Sequence, residues 1–410
     1  MNQQEIIPHL FRTEFRKITT VLCKSFGNAF NGIEIAEDIA SETFLSAIET
    51  WTYKGIPENP TAWLYAVAKN KAKNYITRNQ LFTNKIATEL KQSSPTTHEI
   101  EIDLSEKNIT DSQLQMLFAV CHPTISPEAQ IGLALRILCG FGIDEIANAL
   151  LSNKETINKR LFRAKEKLRL ENVKIEFPGE AEIVNRLETV LTTLYLLFSE
   201  GYYSESNDTV VREDLCMEAM RLTYLLIEND QTNQPNVNAL LALMCFQSSR
   251  FEARKNSNGE MILYDDQDET LWNDELISKG AYFLHKAAHG NKLSKYHLEA
   301  SIAYWYTIKE DTKEKWESIL QLYNQLLQLE YSPVAALNRT YALSKANGKA
   351  QAIIEAEKLQ LTSNHFYFTL LGELYKGIDD VKAKENFTKA LSIAKTQADK
   401  QTILKKLDRL

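Results

Sequence analysis

The sequence predicts an all-α protein: two small helical units followed by a helical solenoid. Three observations carry this expectation. Almost every segment of the 410 residues spaces its apolar side chains for helix rather than strand. Glycine and proline are sparse, 14 and 9 in all, which disfavours a turn-rich sheet. The C-terminal part repeats at a period of 34 residues, with Leu337 answered by Leu371 and Tyr341 by Tyr375, as stacked helical hairpins do.

Breaks in the helical pattern fall at Gly27–Gly32, Gly55–Pro60, Gln92–Asp111, Pro123–Pro127, Pro178–Gly179 and Gln231–Pro235. They predict a first unit at 1–91, a linker at 92–112, a second unit at 113–174 and a C-terminal domain at 175–410. In the first unit, projecting Glu34–Trp51 at helical pitch gathers Ile35, Ala36, Ile39, Ala40, Thr43, Phe44 and Ala47 on one buried side. Glu34, Asp38, Glu42 and Glu49 take the other, with Leu45 among them. That face reads either as a solvated acidic surface or as a docking surface for a basic partner.

Asn59-Pro60 is a cap followed by proline at the first helical position, so a helix should run over Thr61–Arg78. Leu64, Ala68, Ala72 and Tyr75 form its buried stripe. Trp63, Lys69, Asn70, Lys73, Asn74 and Thr77 share the remaining face. A tryptophan beside amides and lysines suits an exposed base and its phosphates, although the residues alone favour Trp63 packed on a neighbouring helix.

The second unit carries the sharpest pattern. Ser126-Pro127-Glu128 opens a helix, Ile143–Leu150 is a short one, and Leu151-Ser152-Asn153 turns the chain into a longer helix, Lys154–Leu170. Ile157, Leu161, Ala164 and Leu168 anchor that last helix along a narrow arc. Thr156, Lys159, Arg160, Arg163 and Lys167 point the opposite way, the arrangement of a recognition helix in the major groove. Lys154, Glu155, Thr156, Asn158 and Lys159 would reach base edges, and Arg160, Arg163, Lys165 and Lys167 would hold phosphates.

Charge supports the division. Residues 1–174 hold 21 basic against 20 acidic side chains and residues 175–410 hold 26 against 34, so the net −7 sits in the C-terminal part. No acid lies between Glu58 and Glu89, and 154–169 is strongly basic: two stripes for two DNA contacts. No apolar run is long enough to span a membrane, and Met1–Leu10 lacks a signal-peptide pattern. Five scattered cysteines without a CxxC spacing read as reduced thiols of a cytoplasmic protein. Cys121-His122-Pro123 is a weak candidate for a nucleophile or metal site. Asp265, Asp266, Asp268 and Glu269 read as a cation loop or, better, as partners of Arg250 and Arg254. No phosphate loop, nucleophile elbow or metal spacing marks an enzyme, and no cofactor is implied.

IDEIANALLSNKETINKRLFRAKEKLR resembles the region-four helix-turn-helix of sigma factors. EIAEDIASETFLSAIETW resembles region two where it docks on the polymerase clamp, and NPTAWLYAVAKNKAKNYITRN the adjoining helix that opens the −10 element. LFSEGY (197–202), LALMCFQSSRFEAR (241–254), LYDDQDETLWN (263–273) and SPVAALNRTYAL (332–343) resemble motifs of the extracytoplasmic-function (ECF) subfamily with a tetratricopeptide-like C-terminal extension. The resemblance implies that Glu37, Asp38, Ser41, Glu42 and Phe44 contact core RNA polymerase. It implies that Trp63, Lys69, Asn70, Lys73, Asn74 and Arg78 handle the −10 element. Lys154, Thr156, Asn158, Lys159, Arg160 and Arg163 would read the −35 element. Partners would be core polymerase, promoter DNA and a protein docked on the repeat domain. One departure stands out: the family's Asp–aliphatic–aliphatic–Arg run is replaced by Asn74-Tyr75-Ile76 and Arg78. The alternative is a one-component regulator, a DNA-binding unit fused to a ligand- or peptide-sensing repeat, which leaves residues 30–80 without a role.

Overall fold

The computed structural model describes residues 3–26, 30–88, 102–150, 152–202, 212–254, 262, 264–290 and 292–410. These are all-helical, with no β-strand among them, and they form two compact units, Met1–Leu196 and Leu197–Leu410.

The first unit opens with α1 (Gln3–Ser25), α2 (Asn31–Lys54) and α3 (Pro60–Thr88). Asn59 Oδ1 accepts from the Ala62 N–H at 3.0 Å, the cap that starts α3. The three helices close over Ile18, Leu22, Ile33, Ala36, Ala40, Leu64, Ala68 and Ala72, all with no exposed surface. Of the linker read at 92–112, residues 92–101 lie outside the described residues; α4 (Glu106–Val120) opens within the remainder, capped by Ser105. α5 (Pro127–Leu133) runs into a π-turn, Ala134–Leu138. Then come α6 (Ile143–Ala149), α7 (Lys154–Leu170) and α8 (Glu180–Tyr202), the last of which ends in the second unit. Buried Gln130 fixes the turn before α5: its amide donates to the carbonyls of His122 and Ile125 at 3.0 and 3.1 Å, and its oxygen accepts from Thr193 at 2.8 Å.

The second unit continues with α9 (Glu213–Ile227), α10 (Pro235–Ser248), α11 (Asp274–Ala287) and α12 (Lys295–Trp305). It ends with α13 (Lys313–Leu329), α14 (Pro333–Asn347), α15 (Lys349–Leu359), α16 (His365–Tyr375), α17 (Asp380–Ile393) and α18 (Gln397–Leu407). Successive helices from α12 onward pack on one another. In α16 and α17, helical spacing marks Phe368, Leu371, Gly372 and Tyr375 and, facing them, Ala383, Phe387 and Ala390, and all seven are buried. A Cβ at Gly372 would stand 2.7 Å from the Phe387 ring, so this crossing needs glycine.

One hairpin earlier, helical spacing in the sequence assigns Val334, Leu337, Tyr341, Ala350 and Ile354 to the packed stripe, and the register differs from that. Val334, Ala350 and Ile354 are exposed, and Ala352 and Ala356 are buried instead. α15 starts immediately after Gly348, whose φ of +94° sets the phase of the following turn: Ala352 and Ala356 face the core, Ile353 packs at its edge and Ile354 points out.

Candidate nucleic-acid interface

α7 is held at both ends of its logic, local and tertiary. Asn153 adopts an extended backbone and its Oδ1 accepts from the Thr156 N–H at 2.8 Å, satisfying one of the donors that a helix start leaves open. Ile157, Leu161, Ala164 and Leu168 are buried as the stripe requires. Leu161 reaches α5 so closely that a Cβ at Gly132 would lie 2.9 Å from it. α6 enters through Gly142, whose N–H donates to Glu145 Oε2 at 2.7 Å, and buries Ile146, Ala147 and Ala149 against the same core. Ser152 N–H donates to the Ala147 carbonyl at 2.8 Å, which closes the connection to α7; Leu151, at its centre, lies outside the described residues.

The outer face of α7 presents Lys154, Thr156, Asn158, Lys159 and Arg163 exposed and Arg160 half-buried. Lys154 pairs with Asp144 at 2.9 Å, but both side chains are mostly in solvent and the pair is easily exchanged. Lys159, Arg160, Arg163 and Lys167 hold no ion pair among the described residues. Phe162 stands exposed between them.

Lys165 behaves differently from the other α7 cations. Its Nζ donates to Glu37 Oε2 at 3.0 Å, and Arg136 Nε donates to Glu37 Oε1 at 3.1 Å. The Glu37 and Lys165 side chains are 12% and 13% exposed, so this carboxylate joins α2, the π-turn and α7 in a sheltered three-way pair. A neighbouring contact, Arg169 to Glu34 at 3.9 Å, is looser. Lys165 therefore faces inward, not toward the surface where phosphates would be met.

The five α2 residues separate by burial. Asp38, Ser41 and Glu42 are exposed, beside Leu45 and Ile48 at 58% and 45%. Glu37 is taken by the pair just described. Phe44 is 3% exposed, its ring 5.1 Å from Phe11 and 6.3 Å from Phe15 between centroids, so it is a core side chain that sets the height of the helix. On α3, Asn70, Lys73, Asn74 and Arg78 are exposed and Lys69 is half-buried. Trp63 is half-buried with its ring edge-on to Trp51 at 5.4 Å. Trp63 thus packs on a neighbouring helix with part of its ring and leaves the rest open. Tyr65 ties α3 to α1 by donating to Glu14 Oε2 at 2.6 Å, and burial with this bond pushes its phenol far up.

Sequence patterns did not reveal Arg136 and Lys165 as partners of Glu37, since both lie about a hundred residues or more away. Cys23, Cys121, Cys216 and Cys245 are buried, and burial pushes each thiol up to about 12, where no thiolate forms at neutral pH. Among the described residues no group of three His, Cys, Asp or Glu could hold a metal, and no helix is long and apolar enough to cross a membrane.

Comparison with known proteins gives these elements a class. Residues 10–82 match the family model Sigma-70 region 2. The chain is 28% identical over 134 residues to the ECF RNA polymerase sigma-E factor of Haemophilus influenzae, a stretch covering 32% of this chain and 70% of that one. Both findings support the sigma factor family. More particularly, the chain belongs to one family with Uncharacterized protein R00370 of Rhizobium meliloti (strain 1021), 32% identical over 386 residues, 93% of this chain and 91% of that protein. Residues 186–288 match a family of unknown function, DUF6596. No solved structure matches.

Proposed function

We propose that this protein is an ECF-type sigma factor that binds core RNA polymerase and directs promoter-specific initiation, with its C-terminal tetratricopeptide-like domain (175–410) modulating that activity. The observation that carries the reading is the pairing of two basic faces in one unit. α7 offers Lys159, Arg160 and Arg163, with no ion pair among the described residues, on a helix anchored by four buried apolar residues, and α3 offers Lys73 and Arg78 within the Sigma-70 region 2 match.

In this reading residues 113–174 form the helix-turn-helix of the −35 contact. Lys154, Thr156, Asn158 and Lys159 meet base edges in the major groove, and Arg160 and Arg163 hold the flanking phosphates. Residues 1–91 form the region-two domain. Its Trp63, Lys69, Asn70, Lys73, Asn74 and Arg78 capture an unstacked base of the −10 element and its backbone, which lowers the cost of melting. Polymerase meets Asp38, Ser41 and Glu42 around Leu45, with Glu37 and Phe44 holding the helix from behind. No bond of the DNA is made or broken by this chain, so it needs neither catalytic residue nor cofactor.

The test is capture of core enzyme by the full-length protein. A sigma factor retains purified core polymerase at micromolar concentration, and Glu42→Arg with Leu45→Asp weakens retention at least tenfold. A one-component regulator would instead bind duplex DNA alone and leave core polymerase in the flow-through, which would overturn the proposal.

A further inference from the structure

The second unit buries three cations. Arg250 and Arg254 follow α10 one turn apart and are only 9% and 8% exposed; Lys315, on α13, is 1% exposed. None of the three has a carboxylate within ion-pair distance among the described residues. The acids that the sequence offers as partners are turned elsewhere. Asp265 accepts from the Tyr341 hydroxyl at 2.9 Å and meets Lys345 at 3.6 Å, Asp266 meets Arg409 at 3.9 Å, and Asp268 caps Thr270. Asp311 accepts from the Trp316 indole.

The cations are packed in aromatic rings instead. The Arg250 guanidinium lies 5.5 Å from the Tyr264 ring and 5.7 Å from that of Tyr306, and its Nη2 reaches the Tyr202 hydroxyl at 3.5 Å. Arg254 sits 3.9 Å over the Tyr202 ring. Lys315 Nζ donates to the Tyr264 hydroxyl at 2.9 Å and to the Ile308 carbonyl at 2.7 Å, both neutral acceptors, and Asp311, Glu269 and Glu310 act on its charge only from beyond ion-pair distance. Trp272, its ring stacked 6.4 Å from Tyr264, is buried, and among the described residues its indole N–H meets no acceptor. Arg250 Nε and Arg254 Nη1 are likewise buried donors without an acceptor among the described residues. Ring faces attract cations but supply no lone pair to an in-plane N–H and cancel no charge.

Buried charge is stable when paired, and a buried donor without an acceptor is a specific cost. Here three donors and three positive charges converge on Tyr202 and Tyr264, and the missing complement is acceptor-only and negative. One carboxylate carries a single charge and leaves two cations uncompensated. A phosphate group carries close to two charges at neutral pH and three oxygens for forked guanidinium contacts. The geometry points to a binding site for a phosphate-type oxyanion, free or on a small phosphorylated molecule, formed by Arg250, Arg254, Lys315 and Trp272 among Tyr202, Tyr264 and Tyr306. In the structure the group is closed over these rings, so binding and a loosening of the ring cluster go together.

The experiment is thermal unfolding of the full-length protein in inorganic phosphate at constant ionic strength, with succinate and chloride as controls. Ligand that binds only the folded state raises the melting temperature with concentration and saturates the site by mass action. Phosphate raises it by several degrees in the millimolar range, and succinate and chloride do not. Arg250→Met and Lys315→Met abolish the phosphate shift, yet melt no lower than the native chain without phosphate, because an apolar side chain of similar length relieves an unmatched charge. Arg254→Lys, which keeps charge and fold but loses the fork, weakens the phosphate response about tenfold. No shift with phosphate, an equal shift with succinate, or a shift that persists in both methionine variants overturns the site. So does a marked fall in the phosphate-free melting temperature of both, since the cations would then be structural.

Discussion

Removing the Glu37 charge tests how the first unit is held together. Glu37→Gln keeps the size of the side chain but leaves Lys165, 13% exposed, without its counter-charge and deprives Arg136, 30% exposed, of its partner. Breaking a fully buried pair costs about 3–5 kcal/mol; with Arg136 partly open to solvent, about 2–3 kcal/mol is expected here. Lys165→Met leaves Glu37 paired with Arg136 and should cost less; in the double variant Lys165 is no longer stranded, so the loss should fall short of the sum of the two single changes. A double-mutant cycle in urea, followed by the fluorescence of Trp51 and Trp63 with the tryptophans of the second unit replaced by phenylalanine, should return a coupling of about 1–3 kcal/mol. A coupling under about 0.5 kcal/mol would mean that the bonds at 3.0 and 3.1 Å contribute no more than a surface pair, and the three-way contact would not be what fixes α7 on α2.

Other expectations follow from single residues. Arg160→Ala and Arg163→Ala should each reduce the slope of log affinity against log salt for promoter DNA by about one, measured by fluorescence anisotropy; an unchanged slope would show that these side chains meet no phosphate. Gly372→Ala pushes a methyl into the Phe387 ring and should lower the stability of the second unit by about 1–3 kcal/mol in denaturant titrations, whereas Gly372→Ala with Phe387→Leu should recover most of it. His297 is held below the ordinary histidine range by burial, although the backbone bond to Ala287 partly opposes this. Its contribution is complete above the unfolded value near 6.5 and is lost as pH falls toward the folded one. Melting of the native chain should therefore drop between about pH 7 and 5 by more than that of His297→Asn; parallel curves would reject the assignment.

What could be read from the sequence was what lies within a few turns of helix. The α7 stripe of Ile157, Leu161, Ala164 and Leu168, the Asn153 cap and the exposed Leu45 among the α2 acids follow from periodicity alone, and the structure places them so. Pairings between distant positions were not legible. Nothing local marks Glu37 out from Asp38, because its environment is made by Arg136 and Lys165. Arg250 and Arg254 looked like natural partners for the acids at 265–269, yet Asp265 serves Tyr341 and Lys345, Asp266 serves Arg409 and Asp268 caps Thr270. In the repeat, hydrophobicity favoured Ile354 as a core position, but the phase in which α15 leaves Gly348 turns Ala352 and Ala356 inward and leaves Ile354 exposed.

The most direct test of the account is run-off transcription with purified core polymerase and the full-length protein, on genomic fragments selected by their binding to the complex. The account predicts a discrete start site that appears only when this protein is added and is lost with Arg160→Ala/Arg163→Ala and, separately, with Lys73→Ala/Arg78→Ala. Transcripts that neither depend on the added protein nor respond to either pair of substitutions would contradict it.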